Sequence, residues 1–209
     1  MGEPKVIYDL RQVVYDAGIV VAEKDDILAA EDIDDMTGYA SATEAAGAVL
    51  KNDGTGGTTG LTAVAARIEH PRNVVITLVL DGLTGGYVRV IGIGMNGVST
   101  NELFTLAAGT TTYTGNVPFL RVDEVHVWGV TGTLSTTDTM AIGVGAKIGL
   151  PMGSDCVLHD VVKERFNAAD IAVTPANINR TYGTYTPTST LDGTKVLELW
   201  YVTKRTITW

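Results

Sequence analysis

The sequence predicts a mainly β protein, an antiparallel β-sandwich or barrel with an extended N-terminal arm. Three observations carry that prediction. The 209 residues include 29 Thr and 24 Gly, while only 19% are charged. Thr favours extended backbone through its β-branch and Gly marks turns and bulges. Apolar β-branched runs recur from Arg72 onward, with turn signals spaced roughly 8–12 residues apart, as in sandwiches and barrels. The run Glu124-Val-His-Val-Trp-Gly-Val130 also alternates in type, which places Val125, Val127 and Gly129 on one face of a strand.

Taken in order, residues 5–22 are β-branched and aromatic, interrupted by Gly18, and read as short extended segments. Residues 23–36 concentrate Glu23, Asp25, Asp26, Glu31, Asp32, Asp34 and Asp35. A short helix over about 25–32 is compatible with this stretch, although its like charges would repel at i,i+4 spacing. Small residues from Ala40 to Ala48 lead into Asn52-Asp-Gly-Thr-Gly-Gly-Thr-Thr-Gly60, which has flexible-loop composition. Residues 1–60 therefore read as an acidic arm with few buried contacts of its own, and 61–209 as the β-domain. Val74–Leu80 is a buried strand ended by Asp81-Gly82. Strands over 87–94, 98–106, 124–130 and 138–144 follow. Residues 156–163 and 169–174 suit a hairpin, with a short helix over 156–166 as the alternative. Lys195–Thr203 closes the sheet, and the terminal Trp209 invites docking.

The net charge of −9 is unevenly placed. Residues 1–36 hold 10 of the 24 acids and 3 of the 15 bases, a balance of −7; the rest holds 14 acids and 12 bases, only −2. A nucleic-acid binder needs a clustered cationic face, and anionic membranes attract Lys/Arg-rich segments, so neither partner is expected. Met1-Gly-Glu-Pro-Lys5 is not followed by a signal-type apolar core, and no apolar run reaches the roughly 18–20 residues that span a bilayer. The single Cys156 excludes an intramolecular disulfide and points to a reducing compartment, or to a particle assembled in one.

Four motifs test for chemistry. Gly92-Ile-Gly94-Met-Asn-Gly97 spells a dinucleotide fingerprint, and Ser99 with Glu102 could cap a following helix. The segment ends too soon at Ala107-Ala-Gly109, and Asn96-Gly97 is the preferred pair for a type I′ hairpin turn, so a hairpin is expected. Asp32-Ile-Asp-Asp-Met36 opens like a calcium loop, but Met36, Gly38 and Glu44 fall out of its register. Ser154, Asp155, Cys156, His159 and Asp160 cluster in sequence without a nucleophile elbow, and three His with one Cys are too few for a zinc site. Tyr182 and Tyr185 could stack on a sugar, packing within a loop being the commoner use. No enzyme activity, cofactor or metal is expected.

The order of several segments resembles structural proteins of tailed-phage virions. The matching pieces run from Pro71-Arg-Asn-Val-Val-Ile-Thr77 through Val88-Arg-Val-Ile-Gly-Ile93, Asn96-Gly97 and Asn101-Glu-Leu-Phe-Thr-Leu106. Pro118-Phe-Leu-Arg-Val-Asp-Glu-Val125, Val144–Pro151, Tyr182–Pro187 and Leu191-Asp-Gly-Thr194 continue it. Residues 1–70 lie outside the resemblance. It implies a non-enzymatic virion component, foremost a capsid decoration protein that binds the outer surface of the head and stabilises it. It would be made in the host cytoplasm. The implied partners are the major capsid protein and sister subunits in a homo-oligomer, a trimer being favoured. A tail-tube or head–tail connector subunit is the alternative, and a virion-surface carbohydrate-binding module a further one. The contact residues expected are Glu23, Asp25, Asp26, Glu31, Asp32, Asp34, Asp35 and Trp209.

Overall fold

The computed structural model describes residues 4–15, 23–33, 36, 38–51, 67–79, 82–153 and 155–207. It is mainly β, with antiparallel sheets, the larger of them a curled half-barrel. In chain order the strands are β1 (Lys5–Tyr15), β2 (Glu23–Asp32), β3 (Ala48–Lys51), β4 (Arg67–Val79), β5 (Leu83–Gly94), β6 (Ser99–Ala107), β7 (Thr112–Thr114), β8 (Phe119–Gly132), β9 (Thr139–Gly149), β10 (Val157–Phe166), β11 (Ala169–Ile171), β12 (Ile178–Asn179), β13 (Thr184–Tyr185) and β14 (Leu197–Ile207). The chain forms two compact units, one from Ala22–Gly145 and the other from Met1–Val21 with Ala146–Trp209.

In the unit Ala22–Gly145, β8 pairs with β3, β4 and β5, β5 pairs with β6, and β7 joins β4. β2 pairs with β9, so the acidic stretch is a strand rather than the short helix its sequence also allows. The core includes Ile76, Val88, Val90, Phe119, Val125 and Val127, each 1% exposed or less. Burying such a side chain stabilises the fold by about 1.5–3 kcal/mol. Ile27, Leu28, Ile33, Met36, Ala48 and Leu50 belong to the same core. The expected division at residue 60 therefore differs from the observed one: the described part of 22–51 is packed into the β unit. The physical reason is that Ile27, Leu28, Ile33 and Met36, interspersed among the acids, are buried in this core while β2 pairs with β9.

All three glycines of the Gly92–Gly97 motif are explained by sheet geometry. Two of them matter most. A side chain at Gly92 would collide with the Arg121 carbonyl of β8, where β5 and β8 shift register. Gly97 has φ +72 and donates its N–H to the Gly94 carbonyl, closing the β5–β6 hairpin. The hairpin expected from Asn96-Gly97 is present. Its turn differs from type I′: among described non-glycine residues only Asn167 and Ala168 have positive φ, so Asn96 does not. The geometry is a type I turn followed by a left-handed Gly97. Glu102 caps no helix; its carboxylate accepts the N–H groups of Asn116 and Val117 at 2.7 and 3.2 Å. On β8, Gly129 sits at a bulge with φ +62, which flips the alternation so that Val130 rather than Gly129 continues the buried face.

In the other unit the sheet order is β1-β14-β10-β11. Tyr15, Leu158, Leu197, Leu199 and Tyr201 form its core with Tyr185. β10 and β11 make the expected hairpin rather than a helix, and the two-residue turn between Phe166 and Ala169 holds Asn167 at φ +50 and Ala168 at φ +65. That is type I′ geometry, which prefers Gly at its second position. Glu164 is fully buried, and its partners are neutral donors. Its carboxylate accepts the Tyr185 hydroxyl at 2.6 Å and the Thr188 and Ser189 N–H groups at 2.9 Å each. Burial alone would raise its pKa; these three donors outweigh burial and hold it below its ordinary value.

The turn and the buried carboxylate of this unit can both be tested by unfolding. Ala168→Gly relieves a left-handed alanine and stabilises the fold by about 1 kcal/mol in urea unfolding. Glu164 is depressed in the folded state, so its contribution is complete above the ordinary carboxylate range and is lost as pH falls through its folded pKa. In Glu164→Gln an amide NH₂ faces backbone donors, which costs about 2 kcal/mol at pH 7. The urea midpoint of the variant then declines less on acidification than that of the wild type.

Candidate functional site

The residues expected to make partner contacts are placed unevenly. Glu23, Asp25 and Asp26 lie in β2, and their side chains, like all of Asp34, Asp35 and Trp209, fall outside the described residues. Glu31 and Asp32 are half-buried at the end of β2, opposite Met140 and Thr139 of β9. The structure thus places these two within a strand ladder rather than on a separate arm.

Of the catalytic-looking cluster at 154–160, Ser154 lies outside the described residues, and Cys156, His159 and Asp160 have different partners. Cys156 Sγ is 3.7 Å from Asp155 Oδ1, and Asp155 pairs with Arg205 at 3.5 Å. The His159 ring packs on Tyr8 with centroids 4.9 Å apart. Asp160 pairs with Arg180, whose Nε donates to the His159 carbonyl at 2.6 Å. Of the two candidate sugar-stacking tyrosines, Tyr182 is 42% exposed, but Tyr185 is fully buried with its hydroxyl on Glu164. A stacking pair is therefore ruled out, because the second ring is in the core.

A connected charge network that the sequence does not announce lies on the unit Ala22–Gly145. His126 stands on β8 with Nδ1 3.1 Å from Glu44 Oε1 and Nε2 2.9 Å from Glu124 Oε2. Glu124 continues to Lys51 of β3 at 3.3 Å, and Glu44 to Arg89 of β5 at 2.7 Å. The Arg89 guanidinium lies 5.5 Å from the Trp128 ring centre, and Trp128 stacks on Tyr87 at 5.4 Å. Strand geometry supplies much of this: Glu124 and His126 share a face two residues apart, and β5–β8 register sets Arg89 opposite His126. Glu44 enters from a single 3₁₀ turn, Glu44–Ala46, 82 residues away in sequence.

Both imidazole contacts are hydrogen bonds only for the doubly protonated ring, which has two N–H donors. The His126 hydrogen bond is the largest influence on Glu124 and holds its pKa below the ordinary value. With Glu44 against one ring nitrogen and Glu124 against the other, the imidazole acts as a clamp between the two carboxylates. It fastens the 44–46 turn to the sheet, beside the hydrogen bonds from Gly129 and Val130 N–H to the Ser41 and Tyr39 carbonyls. Among the described residues no group of three or more His, Cys, Asp or Glu is placed to hold a metal ion.

A different surface lies on the unit built from both chain ends. Val6, Tyr8, Leu10 and Val14 point to one side of β1 and are 41–67% exposed. Through the β1–β14 register Leu10 neighbours Val202, and Gln12 neighbours Trp200, over which the Lys163 ammonium sits at 5.2 Å. This is an apolar outward sheet face, of the kind that marks contact with another molecule.

His126→Ala leaves the Glu44 and Glu124 carboxylates without the donor between them. The expected cost is about 1 kcal/mol, with roughly tenfold faster hydrogen exchange at the Gly47, Gly129 and Val130 amides, read by NMR. No family model, no curated protein and no solved structure matches the chain.

Proposed function

We propose that the chain is a non-enzymatic structural subunit of a virion, foremost a decoration protein on the outer surface of a phage head. The observation that carries this reading is the order of the segments from Pro71 to Pro151 that resemble virion structural proteins. Those segments form strands β4 to β9 of the larger sheet, in the order β9-β4-β8-β5-β6 with β7 against β4. Two surface properties support it. The outward face of β1 offers apolar contact, and the acidic residues of 23–35 offer charge to a cationic neighbour. The named partners would be the major capsid protein and sister subunits. The exposed apolar face also favours the connector or tail-tube reading, since ring and tube subunits bury such faces between copies.

The test is binding of labelled chain to heads that lack it, imaged by electron microscopy and measured by co-sedimentation. Deleting residues 2–36 is unsuitable because it removes β1, Ile27, Leu28, Ile33 and Met36 from their packing. Neutralising Glu23, Asp25, Asp26, Asp34 and Asp35 to their amides is the better variant. Electrostatic attachment predicts roughly tenfold weaker binding for the variant and a matching loss of its salt dependence. Equal binding at all salt concentrations would remove the acidic contact. Binding confined to tails would move the subunit there.

A further inference from the structure

We infer that β1 is an isologous dimerisation edge, pairing antiparallel with β1 of a second copy of this chain about a two-fold axis at Leu10. This inference goes beyond the virion reading and does not rest on it. β1 is eleven residues long and occupies the end of its sheet, bonded to β14 on one side and to no described strand on the other. Such an edge presents a row of main-chain donors and acceptors, and proteins commonly blunt it with charge, proline or a bulge. Here the ladder to β14 is unbroken from Lys5↔Ile207 to Tyr15↔Leu197, and proline is absent from the strand.

The charges on β1 select a partner instead of repelling one. Asp9 and Arg11 lie two apart on the same face, half-buried, and neither has an ion-pair partner among the described residues. A two-fold axis through a continuous sheet keeps each face on one side, so it must pass through a residue position. Centring on Asp9 sets two aspartates opposite each other, and centring on Arg11 sets two arginines opposite. Like charges directly opposed are destabilising. Centring on Leu10 sets Asp9 against Arg11 twice, and it is also the register that overlaps all eleven residues. On the outward face it sets Val6 against Val14 and Leu10 against its own copy. The apolar strip, with Leu10 67% and Val14 49% exposed, then continues across the junction. The product is an eight-stranded sheet made of two copies of β11-β10-β14-β1.

The full chain is the material for the test. Sedimentation equilibrium over about 1 to about 100 μM should reveal a species of twice 22.1 kDa. Asp9→Arg opposes two guanidinium groups at each of the paired positions and should weaken the dimer at least about tenfold, while Asp9→Arg with Arg11→Asp restores affinity to within about threefold. In a Cys156→Ser background, Leu10→Cys should form a disulfide-linked dimer under mild oxidation. Opposed Cα atoms in an antiparallel pair are about 4.5–5.5 Å apart, within disulfide reach. Val14→Cys should cross-link poorly, because its opposite is Val6. A wild-type monomer throughout the range would overturn the inference and leave the edge to a strand of another protein. A trimer, a double variant that stays dissociated, or equal cross-linking at positions 10 and 14 would overturn it too.

Discussion

Within residues 22–145, register is inherited from β8. One edge of β8 is taken along its length by β5, from Gly94↔Phe119 to Leu83↔Gly132. The other edge receives β4 near Phe119–Arg121, β3 at Glu124–Val127, and then the carbonyls of Ser41 and Tyr39. Each segment meets β8 through main-chain hydrogen bonds, and a slip by one residue would turn its apolar set to water. The places where β8 departs from regular pairing are equally constrained. Gly92 admits the Arg121 carbonyl at one shift, and Gly129 turns the chain at another, so the two sides of the sheet stay in phase.

Much of this framework is legible in the sequence where apolar alternation and turn chemistry agree. β5, β6, β8 and β14 overlap their expected positions, because each has largely alternating side chains and a glycine or threonine turn nearby. The region of β2 is misleading for a physical reason: carboxylates dominate residues 23–35, yet Ile27, Leu28 and Ile33 among them meet a partner segment more than a hundred residues away. Distant pairing, rather than local charge, decides their burial. Gly129 shows how one left-handed residue changes parity, which a count of alternate residues does not detect. Tyr182 and Tyr185 have the same chemistry and lie three apart, and tertiary context alone separates the exposed ring from the buried one.

The functional residues divide in the same way. Glu124 and His126 are visible as same-face neighbours on a strand, but Glu44, which completes the clamp, comes from a short turn without any local signal. Glu164 is equally hidden, since an isolated carboxylate in a strand normally reads as surface. Its burial is tolerated because Tyr185, Thr188 and Ser189 replace water around it, ordering residues 185–189 at the same time. The two acidic settings behave oppositely. Glu164 is stabilised by donors of its own fold, whereas the acidity at 23–35 is a charge that the near-neutral remainder of the chain does not balance.

The pairing of β1 with β14 has a consequence for synthesis. The chain leaves the unit containing β1 after Val21 and returns to it at Ala146, so residues 22–145 are an insertion between strands of one small sheet. During translation β1 is made before the inserted unit, and β14, its partner, after it. All strands of the inserted unit emerge before β10 and β14 exist, so that unit can close while β1 waits with both edges open. β1 therefore stays without its β14 partner until residues 22–145 have been made. Closing the β1–β14 ladder joins strands separated by the whole inserted unit, and that long loop adds to its entropic cost.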